Sequence, residues 1–161
     1  MGPLGHGVVS AGVGAGVWAT TGSIGAVPFA FATGVFLDAD HVFDYYVAFF
    51  RRDKERVFVL AHGWEYALAG TVLLLGIWYH PWLLAAVLGM LGHLIADQVA
   101  NKPRHLLGYA VLYRLHAGFR REPLFDQAAS NLSEVLHKHI PLWSAIEPRL
   151  PALFQKALRQ R

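Results

Sequence analysis

Nine ionisable side chains stand inside otherwise apolar stretches of the first hundred residues, and their types suit metal ligation. They are His6; Asp38, Asp40, His41 and Asp44; His62 and Glu65; and His93 and Asp97. On a helix, residues three or four apart share a face. That pairs His93 with Asp97, His62 with Glu65, Asp38 with His41, and Asp40 with Asp44. No lysine or arginine lies in residues 1–50 or 57–101, so the five acids have no cationic side chain there to pair with. An ionised group at membrane depth costs about 2.5–3.5 kcal/mol, and clustered carboxylates also repel one another. A bound divalent cation removes both costs. Histidine with carboxylate is a ligand set for zinc first, with iron or manganese open.

Taken singly, each residue has a plainer reading. His6 is incidental, Asp44 faces water, caps a helix or orients a ligand histidine, and the pairs His93–Asp97 and His62–Glu65 satisfy themselves. All of them at one depth point to a cation. His80, His105 and His116 read as interfacial residues, and the two imidazoles of "HKH" at 137–139 diverge on a helix surface.

The elements that must position this cluster follow from the composition. Hydrophobic residues make up 55% of the 161 and charged residues 16%, the balance of a membrane protein. About four apolar segments are near the ~20 residues a spanning helix needs: Leu4–Thr20, Ile24–Phe50, Val57–Tyr79 and Trp82–Ala100. The first carries Gly12/Gly16 and Ala15/Ala19 pairs, which let a second helix approach closely. The run 66–92 has no charged residue, which argues against a soluble bundle. The breaks at 20–23, 51–56 and 80–81 are short, so neighbouring helices form hairpins. The expected fold is all-α: a multi-pass membrane helical bundle over residues 1–119, with residues 120–161 a C-terminal amphipathic tail. Within the first part, 104–119 lies in the interface or folds back over the bundle. A helix over 126–140 starts at an Asp126 N-cap.

All 14 Lys and Arg fall in 51–56 or after 101. Basic residues favour the cytoplasmic side, which puts the N-terminus, the polar cluster and the tail on the inner face of the cell membrane. Membrane lipids are the expected partners. No basic face interleaved with stacking aromatics is seen, so nucleic acid is not expected. The chain has no cysteine, which excludes disulfides and thiolate ligands.

The order of an early His, Asp–x–Asp–His at a helix end, a His motif opening the next helix and "GHxxxD" in the one after resembles the inner-membrane-associated metal-dependent hydrolases of the YdjM-like group. That group is also described as LexA-binding and is itself similar to the zinc-dependent phospholipase C fold. The resemblance covers residues 1 to about 100, with a weaker echo to about 119. The family's early His falls on His6, its "PDxDH" on "LDADH" (Asp38, Asp40, His41), its "HRxxTHS" region on "LAHGWEYAL", and "GHxxxD" on Gly92, His93 and Asp97. Leu37 stands where the family has proline. The third motif lacks the Arg, Thr and second His, with Trp64 and Glu65 nearby instead, and His62–x–x–Glu65 is closer to the zinc phospholipase pattern.

The resemblance and the residues together predict a metal-dependent phosphoesterase acting on lipid-linked or headgroup phosphate. One or more divalent ions would lower the pKa of water to about 7. The imidazole ligands would be His6, His41, His62 and His93, and the carboxylate ligands Asp38, Asp40 and Asp97. Glu65 is a further ligand or the general base, so Asp40 and Glu65 are the candidate catalytic groups. Arg51, Arg52, Lys102 and Arg104 are placed to attract phosphate. The rivals are a di-iron oxidoreductase, a metal or proton transporter, and a membrane module that uses metal only to fold.

Overall fold

A computed structural model describes residues 2–125, 131–140 and 142–159, without the side chains of Lys138 and His139. The described residues 3–125 form one compact unit and those from 131 onward belong to another. No strand forms among the described residues. Two isolated antiparallel bridges, Arg56 with Arg120 and Pro103 with Phe125, are the extended pairings.

The first unit is built on α1 (Pro3–Thr21), α2 (Ala26–Gly34) and α5 (Pro81–Asn101), which pack on one another, with α4 (Trp64–Gly76) against α5. Between α2 and α4 the chain runs through a 3-10 turn (Phe36–Asp40), α3 (His41–Tyr45), a π turn (Tyr46–Phe50) and a loop to Gly63. After α5 come a 3-10 turn (Leu106–Tyr109) and α6 (Val111–His116). His80 caps α5 by accepting from Trp82 N–H, and Pro81 supplies the fixed φ suited to a first helical position.

Where α1, α2 and α5 meet, the interior is made of small residues, while a second buried cluster holds Ala67, Leu94 and Tyr109. Val17, Ala26, Ala30 and Ala85 form one buried cluster, while Trp18, Phe29, Phe36, Leu75, Ile95 and Val99 are exposed. The close approach of α2 and α5 depends on Gly89, where a Cβ would lie 2.6 Å from the Ala30 carbonyl oxygen and 2.7 Å from Thr33 Oγ1. Gly89→Ala gains about 1 kcal/mol of helix propensity, but overpacking against backbone costs about 1–3 kcal/mol. We therefore expect a net destabilisation, read as a melting temperature lowered by a few degrees.

The inner face of α1 is His6, Ser10, Gly14 and Val17. Gly14 rather than Gly12 or Gly16 makes the close contact, 3.0 Å from Val27 Cα, and Gly12 and Gly16 face open space. The four-residue spacing of small residues was right, but on the wrong face: the polar residues His6 and Ser10 turn inward and set the rotation of the helix.

Among the described residues, two helical runs are long and apolar enough to cross a membrane: Ala26–Phe50 and Pro81–Asn101. Only 17% and 33% of their apolar windows are buried within the protein. The glycine-rich α1 is not among them. The segment 57–79 is not one helix. Gly63 is extended (φ −127, ψ 126), and the helix that follows has 13 residues. At about 1.5 Å per residue it is about 20 Å long, short of a ~30 Å hydrocarbon core. The 104–119 region is likewise broken into short turns, and it folds back onto the loop before α4.

In the second unit, α7 (Leu132–His139) begins at Asn131, which forms a reciprocal capping box with Glu134. Asp126, the expected cap, lies outside the described residues. Then come α8 (Trp143–Ile146), a 3-10 turn (Glu147–Arg149) and α9 (Ala152–Leu158). Ser133 Oγ donates to Glu147 at 2.9 Å, His137 Nε2 lies 2.6 Å from it, and Arg159 Nε donates at 3.1 Å. These three partners hold the Glu147 carboxyl below its usual range.

Candidate metal centre

The 3-10 turn at 36–40 decides which acids meet which histidines. Its three-residue period stacks i on i+3, so Asp38 and His41 point to one side and Asp40 to another. Four imidazoles from four places in the chain converge on Asp38. His62 Nε2 is 3.4 Å from Oδ1, His93 Nε2 3.5 Å and His41 Nε2 3.6 Å, and His6 Nε2 is 3.8 Å from Oδ2. Asp97, four residues after His93 on α5, closes the far side. Its Oδ1 is 3.1 Å from His6 Nε2, and its Oδ2 is 3.7 Å from His93 Nε2 and 3.9 Å from His62 Nε2. His6, His62 and His93 are fully buried, and the His6 and His93 rings stack 3.8 Å apart.

Two overlapping ligand groups result. His6, Asp38, His93 and Asp97 form one; Asp38, His41, His62 and Asp97 form the other. In each, the four donor atoms lie within 4.8 Å of one another. Both groups share Asp38 and Asp97.

The tautomers test whether this chemistry fits a cation. His93 Nδ1 is 2.9 Å from the Gly34 carbonyl oxygen, which can only accept, so Nδ1 carries the proton. His62 Nδ1 sits 3.0 and 3.2 Å from the two oxygens of Asp40 and is likewise the donor. Both Nε2 atoms are therefore left as lone pairs, and they face each other at 2.9 Å. Two buried acceptors at that distance repel unless a proton or a metal ion lies between them. The donor set, with backbone and carboxylate partners fixing the outer nitrogens, is how metal-ligating histidines are held. The cluster can hold a metal ion.

His62 comes from a loop, and the loop is pinned by carboxylates. Asp44 accepts from Phe58 N–H at 2.6 Å and Val59 N–H at 3.2 Å, and Asp40 accepts from Ala61 N–H at 2.7 Å. These bonds secure a backbone in which Val59 has φ 30, a conformation a β-branched residue rarely adopts. Asp44 also lies 3.7 Å from His41 Nδ1. Of the residues expected to form the site, His6, Asp38, His41, His62, His93 and Asp97 come together. Asp40 stands behind His62 as its orienting acceptor rather than among the ligand groups. We expect Asp40→Ala to weaken metal binding about 10–100-fold without removing any ligand, measurable by competition with a chromophoric chelator.

Glu65 is not brought to the cluster. Its carboxylate accepts from Val111 N–H at 3.0 Å and Leu112 N–H at 2.9 Å, capping the start of α6. The reason is local. Pairing Glu65 with His62 assumed one helix through both, but the extended Gly63 starts α4 at Trp64, after His62. A Cβ at Gly63 would meet Val111 Cγ2 at 2.7 Å, so glycine also lets α6 close on the loop.

Sequence reasoning missed Arg114. It is fully buried, and its Nη2 donates to the His62 carbonyl oxygen. The available signal was an arginine inside the apolar run "LLGYAVLYRL". Around His62, burial pushes the imidazolium down, but Asp38 and Asp40 outweigh it and raise its pKa to about 9.

Structure and sequence thus define a buried His/Asp cluster able to bind metal in an all-α protein. No known family, curated protein or solved structure matches the chain.

Proposed function

We propose that this chain is a membrane-embedded, divalent-metal-dependent hydrolase, a phosphoesterase acting on lipid-linked or headgroup phosphate. The observation that carries the reading is the convergence of His62 and His93, whose Nε2 atoms lie 2.9 Å apart while each ring is fixed from behind by an acceptor. The two ligand groups, which share Asp38 and Asp97, would hold up to two ions. Divalent ions there would supply Lewis acidity and a water acidified to a pKa of about 7, chemistry suited to phosphoester cleavage.

The chain's own residues supply the rest. The His41 side of the cluster is the more open one, with His41 24% exposed, so substrate enters there. The same stretch forms a wall of a groove lined by Phe43, Tyr46, Phe58, Arg51 and Arg56, with Asp53 paired to Arg56 at 3.5 Å. Aromatics beside guanidinium groups suit an amphiphile with a phosphate head. Small residues where α1, α2 and α5 meet and large apolar residues outside support insertion in a bilayer, where close helix packing replaces the hydrophobic effect. The distribution of Lys and Arg favours the cluster on the cytoplasmic side. The similarity of "LDADH" and "GHLIAD" to the YdjM-like hydrolases agrees with this reading.

The test is metal quantification on protein purified in detergent, followed by a phosphoesterase screen that includes phospholipids. Bound zinc or manganese with metal-dependent release of phosphate or a phosphorylated headgroup is expected. Iron with a ligand-to-metal absorption band and no hydrolysis would replace the hydrolase with an oxidoreductase. Absence of any bound metal would end the reading.

A further inference from the structure

The two ligand groups are built differently. His6 lies on α1 and His93 and Asp97 on α5, long helices that pack on one another, and His93 is further fixed by the Gly34 carbonyl. The other group draws His41 from the five-residue α3 and His62 from a loop with a strained Val59. A ligand on a loop is only as well placed as the bonds that hold the loop. Asp44 and Asp40 hold it from one side. From the other side, the Arg114 side chain donates a hydrogen bond to the His62 backbone.

Arg114 is an expensive group to use as a peg. Its guanidinium carries the full cost of burial, with Nε and Nη1 finding no hydrogen-bond partner among the described residues. A buried cation that makes so few bonds is retained only where its charge and its one donor matter. The acids around it, Asp40, Glu65 and Asp44, offset its charge. Two of these, Asp40 and Asp44, are the carboxylates that hold the loop. Glu65 and Gly63 dock α6 against the same loop, so Arg114 is delivered to the His62 carbonyl by the fold.

We propose that Arg114 is the positioning residue of the loop-borne half of the centre, and that the two halves fill in order. The helix-borne group, His6, Asp38, His93 and Asp97, takes the first ion. The loop-borne group, with His41 and His62, takes the second more weakly, and its affinity depends on Arg114. The inference rests on the metal-binding reading above. It adds that the 104–125 segment governs the second ion, so anything that shifts α6 would set the occupancy of that half alone.

Cobalt(II) is the probe, followed by its visible d–d absorption and by calorimetry on the full chain in detergent. Wild type is expected to bind in two resolved steps with distinct spectra. His62→Ala should remove the weaker step and His93→Ala the tighter. Arg114→Ala should weaken the second step on the order of 10–100-fold and alter its spectrum while leaving the first step and its bands unchanged. Arg114→Lys, which keeps the charge and one donor, should recover part of that loss and remains informative if the alanine variant does not fold. A single step in wild type, loss of the tight step in His62→Ala, or equal weakening of both steps in the Arg114 variants would overturn the proposal while leaving a metal centre in place. No cobalt uptake by wild type would instead remove the metal-binding reading and this proposal with it.

Discussion

Asp38→Ala protein, purified in detergent and assayed by mass spectrometry of its metals, should carry less than about a tenth of the wild-type metal. The expected loss is larger than for any single histidine because Asp38 belongs to both ligand groups and lies 3.4–3.8 Å from all four imidazoles. Removing one histidine leaves the other group's set complete, whereas removing Asp38 leaves neither complete. Asp38→Asn should fail almost as fully. The amide keeps an oxygen of the right size but not the negative charge that a divalent ion needs beside neutral imidazoles. Glu65→Gln provides the contrast. Its carboxylate is committed to Val111 and Leu112 N–H, so metal content should hold while stability falls by about 1–2 kcal/mol for a weakened helix cap. Equal metal in Asp38→Ala and wild type would show that the four imidazoles do not converge around a cation.

The contrast between Asp38 and Glu65 shows what the sequence could and could not disclose. His93 and Asp97 were legible as partners because both lie inside a long apolar helix, where four residues is one turn. His6 was legible as an imidazole in a run without charge, and as the match to the early His of the YdjM-like motif order. The Asp–x–Asp–His motif marked the right place, but its division of labour depends on a 3-10 turn. Its three-residue period eclipses Asp38 and His41, which enter the cluster, and leaves Asp40 about 120° away, turned back toward Ala61 and His62. Glu65 does not join His62 because α4 starts two residues after that histidine, a boundary that hydropathy does not show. Arg114 was passed over because its role lies in a backbone contact 52 residues away, which no local pattern encodes. The helical class follows from apolar runs too long for strands. The rotation of α1 does not, since His6 and Ser10 override its small-residue spacing.

A second large effect is expected in the pH dependence of stability, with metal changing its sign. In the metal-free protein His62 is held protonated by Asp38 and Asp40, its pKa raised from an ordinary 6.5 to about 9. A group whose pKa is higher folded than unfolded stabilises the fold fully below the unfolded value. That contribution is lost as pH rises through the folded value. Metal-free protein should therefore lose stability between about pH 6.5 and about pH 9, by a few kcal/mol at most, since each tenfold change in proton affinity is worth about 1.4 kcal/mol. A metal ion needs the lone pair that this proton occupies, so proton and metal compete for His62 Nε2. At fixed total zinc, binding should tighten over the same interval, and the loaded protein should hold or gain stability where the metal-free protein loses it. Thermal melts in detergent, with chelator and with zinc across that interval, should give two curves that diverge as pH rises. The proton on His62 and the cation that displaces it answer the same electrostatic demand. A metal-free protein equally stable at both ends of the interval would show that the facing imidazoles make no such demand.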